Sequence, residues 1–306
     1  MLAAGMMNKL KGSKKGLNDK QTGVVVGASS FAEMETSALR REVKGVLFTR
    51  PQCSRAAEME QWTAVQGETT CFAKEQLLVY QPGGEASEEE EDHVHGHTEN
   101  GCCKDPAHPC KNNQPTEANP VIDVSGPNEV RAACERLVQD VPQEIAEPIM
   151  NDAQALAAML MRLCPGRASW LTMEIEIIGR NRCSRWHQDK YTSRATITYN
   201  GPGTWMADDS EVQYDQFAAT LGMPWEVSDP RIVPRSESVH RPGPNAAVLM
   251  KGSLWPGIQG VHGHEGLTHK SPNIETDEEG NPILKRLLLK VDMADTQPGF
   301  RINPVA

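Results

Sequence analysis

A histidine and an aspartate lie two residues apart in the segment Arg185-Trp-His-Gln-Asp189. In an extended strand, residues at this spacing point to the same side, so His187 and Asp189 could converge on one metal ion. A mononuclear iron site of the two-histidine, one-carboxylate type needs one further imidazole and leaves coordination positions open. His187 and Asp189 are therefore candidate metal ligands. The alternative is a hydrogen-bonded pair at a strand end.

The further imidazole must come from a distant part of the chain, and three downstream histidines are candidates. His269 is followed by Lys-Ser-Pro-Asn, whereas His262 and His264 lie in the glycine-rich segment 260–266, which predicts a loop. We favour His269 as the distal ligand. His262 and His264 remain the alternatives, since either would complete the same donor set.

A cation follows the distal histidine on a predicted strand. Arg286 precedes an apolar run of three leucines and comes after the acidic segment 275–280. An enzyme that uses iron and 2-oxoglutarate needs such a cation, because the keto acid chelates the metal at one end and carries a second carboxylate at the other. Arg286 is the candidate anchor for that carboxylate, and Arg194, five residues after Asp189, is a substitute. A structural salt bridge is the alternative role for Arg286.

A second group of metal-binding residue types follows the acidic run 85–92. Imidazoles and thiols at this density can bind Zn²⁺, Cu⁺ or Ni²⁺, although the paired Cys-x-x-Cys spacing of a structural zinc module is absent. The alternative is a solvated acidic linker. The residues of this candidate second metal loop are His93, His95, His97, Cys102, Cys103, His108 and Cys110.

Charge and composition exclude some classes of function. With 31 basic and 41 acidic residues, the net charge of -10 opposes nonspecific attraction to nucleic acid or to an anionic membrane. No stretch approaches the ~20 consecutive apolar residues of a membrane-spanning helix. The eight cysteines lack the density of a secreted disulfide scaffold. We therefore expect an intracellular, cytoplasmic protein without nucleic-acid or membrane partners; the lysine-rich start leaves organelle import open.

Hydrophobic periodicity predicts helices and two short strands in the first half of the chain, and further strands in the second half. Four helices are predicted. The first begins near Phe31, the second covers 56–65, the third begins at Asn128 and the fourth covers 153–163. Predicted strands include 22–26 and 46–48, and later 170–178, 196–199, 246–250 and 287–291. This order predicts an α+β fold in which the strands form a sandwich or barrel.

Composition divides the chain into four parts. Residues 1–21 are predicted to be a basic, flexible leader, and residues 22–80 an N-terminal α/β part of the main domain. Residues 81–120 are predicted to be a disordered, acidic, His/Cys-rich insertion, because a stretch of this composition cannot form a hydrophobic core. Residues 121–306 should hold helices and the β core.

The motifs also resemble those of known families. Trp186-His-Gln-Asp189, followed by His269-Lys-Ser-Pro-Asn273 and Arg286, resembles the metal-binding signature of phytanoyl-CoA dioxygenase-like enzymes. Five segments in order resemble the domain-of-unknown-function 1826 family over roughly residues 122–306, with 27–73 as its N-terminal part. These segments are Cys183 to Asp189, Tyr199 to Thr204, Leu249 to Gly257, His269 to Pro272, and Arg286 to Leu289.

These resemblances imply a fold and two hypotheses for function. The implied fold is a double-stranded β-helix, a cupin-like jelly roll, flanked by N-terminal helices. The first hypothesis is a non-haem Fe(II)/2-oxoglutarate-dependent oxygenase, a hydroxylase of an unidentified small-molecule or protein substrate. The second is a non-catalytic zinc-binding protein of metal homeostasis, for which the 1826 family implies a metal-chaperone GTPase as partner.

Overall fold

The structure, a computed structural model, describes residues 23–67, 69–79, 121–124, 127–164, 170–258 and 265–294. The predicted leader, the predicted insertion with all seven of its histidines and cysteines, and both His262 and His264 lie outside these ranges.

Ten strands and six α-helices lie within the described ranges. The strands are β1 (Val24–Ala28), β2 (Val43–Phe48), β3 (Thr69–Val79), β4 (Val121–Val124), β5 (Trp170–Ile178), β6 (Ser193–Thr198), β7 (Trp205–Ala207), β8 (Ala247–Lys251), β9 (Thr268–Lys270) and β10 (Arg286–Ala294). The helices are α1 (Phe31–Ala38), α2 (Ala56–Ala64), α3 (Pro127–Leu137), α4 (Gln143–Leu163), α5 (Asp215–Ala219) and α6 (Trp225–Ile232).

Eight of these strands form one large sheet in the order β1-β2-β8-β6-β10-β5-β3-β4. The five inner pairings, from β2 with β8 through to β5 with β3, are antiparallel. The two outer pairings, β1 with β2 and β3 with β4, are parallel. A smaller sheet pairs β7 with β9. Isolated bridges from His187 to His269 and from Met206 to His240 extend this smaller sheet on both sides.

The large sheet has one apolar face and one polar face. On β10, Leu287, Leu289, Val291 and Met293 belong to the main hydrophobic core, into which α4 packs. Because side chains alternate along a strand, Arg286, Lys290 and Asp292 lie on the opposite face. We call this polar side of the sheet the site face.

Helix α4 covers the apolar face because its buried residues recur at helical spacing. Leu156, Ala157, Leu160 and Leu163 are buried, which is the pattern of one helix stripe. The predicted helix over 153–163 is therefore confirmed, but α4 begins ten residues earlier. The buried residues Ile145 and Ile149 continue the stripe in that direction, and Pro148 is accommodated within the helix.

The predicted α+β class is confirmed by this large mixed sheet with helices packed on it. Strand β5 has the predicted bounds, and β10 extends the predicted 287–291 at both ends. Strands β3, β4, β7 and β9 and helices α5 and α6 were not predicted. Strands β7 and β9 have three residues each, which is too short for a periodic signal. None of the described helices combines the length and the apolar character needed to cross a membrane.

Candidate metal centre

The structure brings His187, Asp189 and His269 together. One ligand atom from each of these side chains lies within 4.8 Å of the other two. The Nε2 atom of His269 is 3.3 Å from Asp189 Oδ2, and that of His187 is 3.9 Å from Asp189 Oδ1. Among the described residues, this is the one group of three or more such side chains that could hold a metal.

Backbone pairing explains why the two imidazoles meet. The N–H of His187 donates to the His269 carbonyl at 3.0 Å, and the N–H of His269 donates back to His187 at 2.9 Å. This reciprocal bridge places the ring centroids 4.5 Å apart. Asp189 lies two residues beyond His187 and reaches the same side, as the spacing predicts.

Each histidine is oriented by a carbonyl two residues before it. His187 Nδ1 lies 2.8 Å from the Arg185 carbonyl oxygen, and His269 Nδ1 lies 3.0 Å from that of Leu267. A carbonyl oxygen can only accept a hydrogen bond, so each Nδ1 carries the hydrogen. Both Nε2 lone pairs are then available at the centre, which is the usual arrangement of metal-binding histidines.

The protonation states also suit a cation. Burial, together with the neighbouring His269, lowers the pKa of His187 to about 4, so its imidazole is neutral at pH 7. Burial alone would raise the pKa of Asp189, but the Arg194 guanidinium holds it well below its usual value. Two imidazoles and one carboxylate form a donor set that fits Fe(II) and also accepts Zn²⁺.

Arg194 forms ion pairs with two carboxylates of the protein. Its guanidinium contacts Asp189 Oδ2 and forms two bonds to Asp292, from Nε at 2.6 Å and from Nη2 at 2.9 Å. Its Cζ atom also lies 4.7 Å from the ring centroid of Tyr191. Arg194 therefore orients Asp189, and its charge is already balanced within the protein.

A turn after β8 supports the backbone of the Asp189 segment. The N–H of Ser253 donates to the Asp189 carbonyl at 2.9 Å. A Cβ atom on Gly252 would lie 1.8 Å from the Tyr191 carbonyl oxygen, so only glycine allows the two chains to approach this closely. Gln188 ties the same segment to the start of β9 through a 2.6 Å bond from its Nε2 to the Gly266 carbonyl.

Arg286 lies on the site face and is 3% exposed. Its Nη1 donates to the Pro202 carbonyl at 3.3 Å, while Nε and Nη2 have no hydrogen-bond partner among the described residues. Burial lowers the pKa of Arg286 to about 10, although Glu176 opposes this effect. A buried guanidinium with open donors is costly unless a ligand satisfies it.

A charged network that sequence reasoning missed occupies the site face beside these residues. Lys290 Nζ lies 2.6 Å from Glu174 and 3.4 Å from Glu176, and Arg182 pairs with Glu176 at 3.1 Å. The thiol of Cys71 donates to Glu174 at 2.8 Å. The sequence does contain a signal for this polar face, because Thr172, Glu174 and Glu176 alternate with apolar residues along β5.

The comparisons with known proteins place the chain in a family. The family described as "Protein of unknown function (DUF1826)" matches residues 111–292, and the chain belongs to it. The resemblance predicted from the motifs is thereby confirmed for this family. No curated protein matches the chain.

Two solved structures show distant likenesses. A bsmA homolog from Methylobium petroleophilum PM1 is 12% identical, with a TM-score of 0.38 over 90% of this chain and 96% of that one. The Fe(II)/(alpha)ketoglutarate-dependent dioxygenase TqaL is 16% identical, with a TM-score of 0.27 over 52% of this chain and 60% of that one.

Proposed function

We propose that this protein is a non-haem iron oxygenase that uses 2-oxoglutarate as cosubstrate. The observation that carries the proposal is the convergence of His187, Asp189 and His269 on one point. Two histidines and one carboxylate are the donor set of non-haem Fe(II) oxygenases and leave positions open for cosubstrate and oxygen. When bound, Fe(II) would supply the oxidative chemistry that amino-acid side chains lack.

The surrounding residues hold these ligands ready. The carbonyls of Arg185 and Leu267 fix the tautomer of each histidine. Arg194 keeps Asp189 ionised and bridges it to Asp292 on β10. Ligands held in this way lose little conformational freedom when they bind a metal, which supports both affinity and a defined geometry.

Arg286 is the residue that would bind the far carboxylate of 2-oxoglutarate. It is buried with two unsatisfied nitrogen donors, whereas Arg194 already has two carboxylates. Thr198 lies opposite Leu288 in the register of β6 and β10, which makes it a diagonal neighbour of Arg286 on the site face. The Oγ1 atom of Thr198 is also buried and has no hydrogen-bond partner in the described part of the chain. A carboxylate would satisfy both side chains.

We also propose that the two sheets form a double-stranded β-helix. The central strands of the large sheet follow the order β8-β6-β10-β5. The smaller sheet, with its bridges, follows the order His187, β9, β7, His240. From β5 to β10, successive segments alternate between the two sheets, except that β7 and the His240 bridge follow one another in the smaller sheet. Eight segments divided in this way between two sheets fit a jelly roll.

The test is an anaerobic titration of the protein with Fe(II) and 2-oxoglutarate. We expect a weak visible charge-transfer band, followed by succinate formation when oxygen is admitted. His187→Ala should abolish both signals because it removes a ligand. A wild-type protein that shows neither the band nor succinate would overturn the proposal.

Variants of Arg286 separate the oxygenase from a zinc-binding protein. Arg286→Met should leave metal affinity intact and weaken 2-oxoglutarate binding about a hundred-fold, because truncating one partner of a buried charge pair costs roughly 2–5 kcal/mol. Arg162→Met, at an exposed ion pair with Glu35, is the control. Tight Zn²⁺ binding with no measurable 2-oxoglutarate affinity in wild type would instead favour a zinc-binding function.

A further inference from the structure

Lys270, the residue after His269, is buried in an aromatic cage on the back of the smaller sheet. It is 2% exposed, and its Nζ atom contacts Asp229 and lies 3.2 Å from Asn273 Oδ1. Three tryptophan rings surround the ammonium group. Their centroid distances from Nζ are 5.9 Å for Trp186, 5.2 Å for Trp205 and 5.1 Å for Trp225.

Asp229 of α6 links the two backbone segments that carry the metal-ligand histidines. Its Oδ2 atom contacts Lys270, and its Oδ1 atom accepts a hydrogen bond from the N–H of Trp186 at 3.3 Å. Trp186 precedes His187 and Lys270 follows His269. Because neighbouring residues in extended chain face opposite sides, one carboxylate on the back joins both segments while the imidazoles meet on the front.

Helix α5 and the residue after it contact the segment that carries His187 at a second point. The Arg185 guanidinium donates to the Phe217 carbonyl at 2.5 Å and to Thr220 Oγ1 at 3.1 Å. The carbonyl of Arg185 is the group that orients His187. Contacts from α5 and α6 therefore reach both histidines through the residues beside them.

We propose that residues 215–232 form a clamp that sets the geometry of the metal centre, with Asp229 as its main positioning residue. The inference rests on the proposed metal site and extends it to side chains that touch no ligand of the metal. Strand β9 has three residues and its pairing with His187 is a single bridge. The contacts of Asp229 and Arg185 reinforce this short pairing from outside the sheet.

Three substitutions test the clamp, with Co²⁺ as the metal. Asp229→Asn leaves a buried ammonium group near the metal, and Lys270→Met leaves a buried carboxylate, so their electrostatic effects on a bound cation are opposite in sign. Asp229→Glu retains the charge and moves the carboxylate. If the clamp acts through geometry, all three variants should weaken Co²⁺ binding, each by about ten-fold, the lower end of the range for residues that orient ligands.

The readouts are the Co²⁺ dissociation constant and the visible d–d spectrum, measured below the melting temperature of every variant. A displaced ligand set should change the spectrum, which a loss of stability alone would leave unaltered. Arg50→Met, at the Asp152 ion pair beside α4, is the matched control and should lower stability while leaving both readouts unchanged.

The outcomes distinguish the clamp from the site on which it rests. A wild-type protein that does not bind Co²⁺ would overturn the metal centre itself. Wild-type binding with unchanged affinity and spectra in Asp229→Glu and Lys270→Met would overturn only the clamp. Opposite shifts in Asp229→Asn and Lys270→Met would also overturn it, since they would reveal a purely electrostatic effect.

Discussion

At the residue scale, Arg194 pairs with two carboxylates that are largely shielded from water. Asp189 and Asp292 lie on different segments, and the guanidinium joins them. The side chain of Arg194 is only 16% exposed, so water screens these interactions weakly. In contrast, the ion pair of Arg162 with Glu35 leaves the arginine side chain 58% exposed, where such pairs contribute little.

Arg194→Met should lower the free energy of unfolding of the metal-free protein by about 3 kcal/mol, the low end of the cost of removing one partner from a buried pair. Adding a divalent metal should restore part of this loss, because the ion supplies Asp189 with another cation. Urea denaturation with and without metal measures both effects. Arg162→Met should change stability by less than about 1 kcal/mol; equal stability of Arg194→Met and wild type would contradict the assigned role.

At the element scale, the turn after β8 determines how closely the Asp189 segment approaches the large sheet. Gly252 packs directly on the backbone of Tyr191, and its N–H donates to the Thr192 carbonyl at 3.1 Å. The next residue, Ser253, supports the Asp189 carbonyl. The position of the Asp189 carboxylate, a candidate metal ligand, therefore depends on a contact between two backbones.

Gly252→Ala should destabilise the protein by about 3 kcal/mol, the upper end of the usual cost of overpacking, because the new Cβ atom would meet a backbone oxygen. Metal affinity should fall as well, since the Asp189 segment must move. Thermal unfolding and a metal titration measure the two effects. Gly243→Ala is the matched control, because no atom lies within 4 Å of its added Cβ; similar losses in both variants would disprove the explanation.

At the scale of the whole molecule, the charged network on the site face links stability to pH. Burial alone would raise the pKa of Glu174, but Lys290, Lys74 and the Cys71 thiol lower it to about 2. The unfolded chain has the ordinary value of 4.5 and therefore takes up this proton first as the pH falls. The stabilisation by Glu174 is fully present above pH 4.5 and is lost as the pH falls toward 2.

Glu174→Gln should therefore reduce the slope of unfolding free energy against pH between about pH 5 and pH 2. Chemical denaturation at several pH values, compared with wild type, measures this slope. Glu60→Gln, which removes a carboxylate at an exposed position of α2, is the matched control variant. An unchanged slope in Glu174→Gln would show that the network does not hold this carboxylate ionised.

Local periodicity was sufficient to predict several elements and part of the site. Strand β5 and the core of β10 follow from runs of apolar residues, and the spacing of His187 and Asp189 follows from the two-residue repeat of a strand. Strands β7 and β9 could not be predicted in this way, because a three-residue strand forms only when a partner strand supplies its hydrogen bonds.

Local residue patterns indicate the candidate ligands His187 and Asp189, the α+β class and the family, because each depends on neighbouring residues or on ordered motifs. Folding is needed to show that His269 joins them, that Arg194 is paired and that Arg286 has donors without a partner among the described residues. Those outcomes depend on the register between strands that are distant in the chain. Register is set by packing and cross-strand hydrogen bonds, which local residue patterns do not encode.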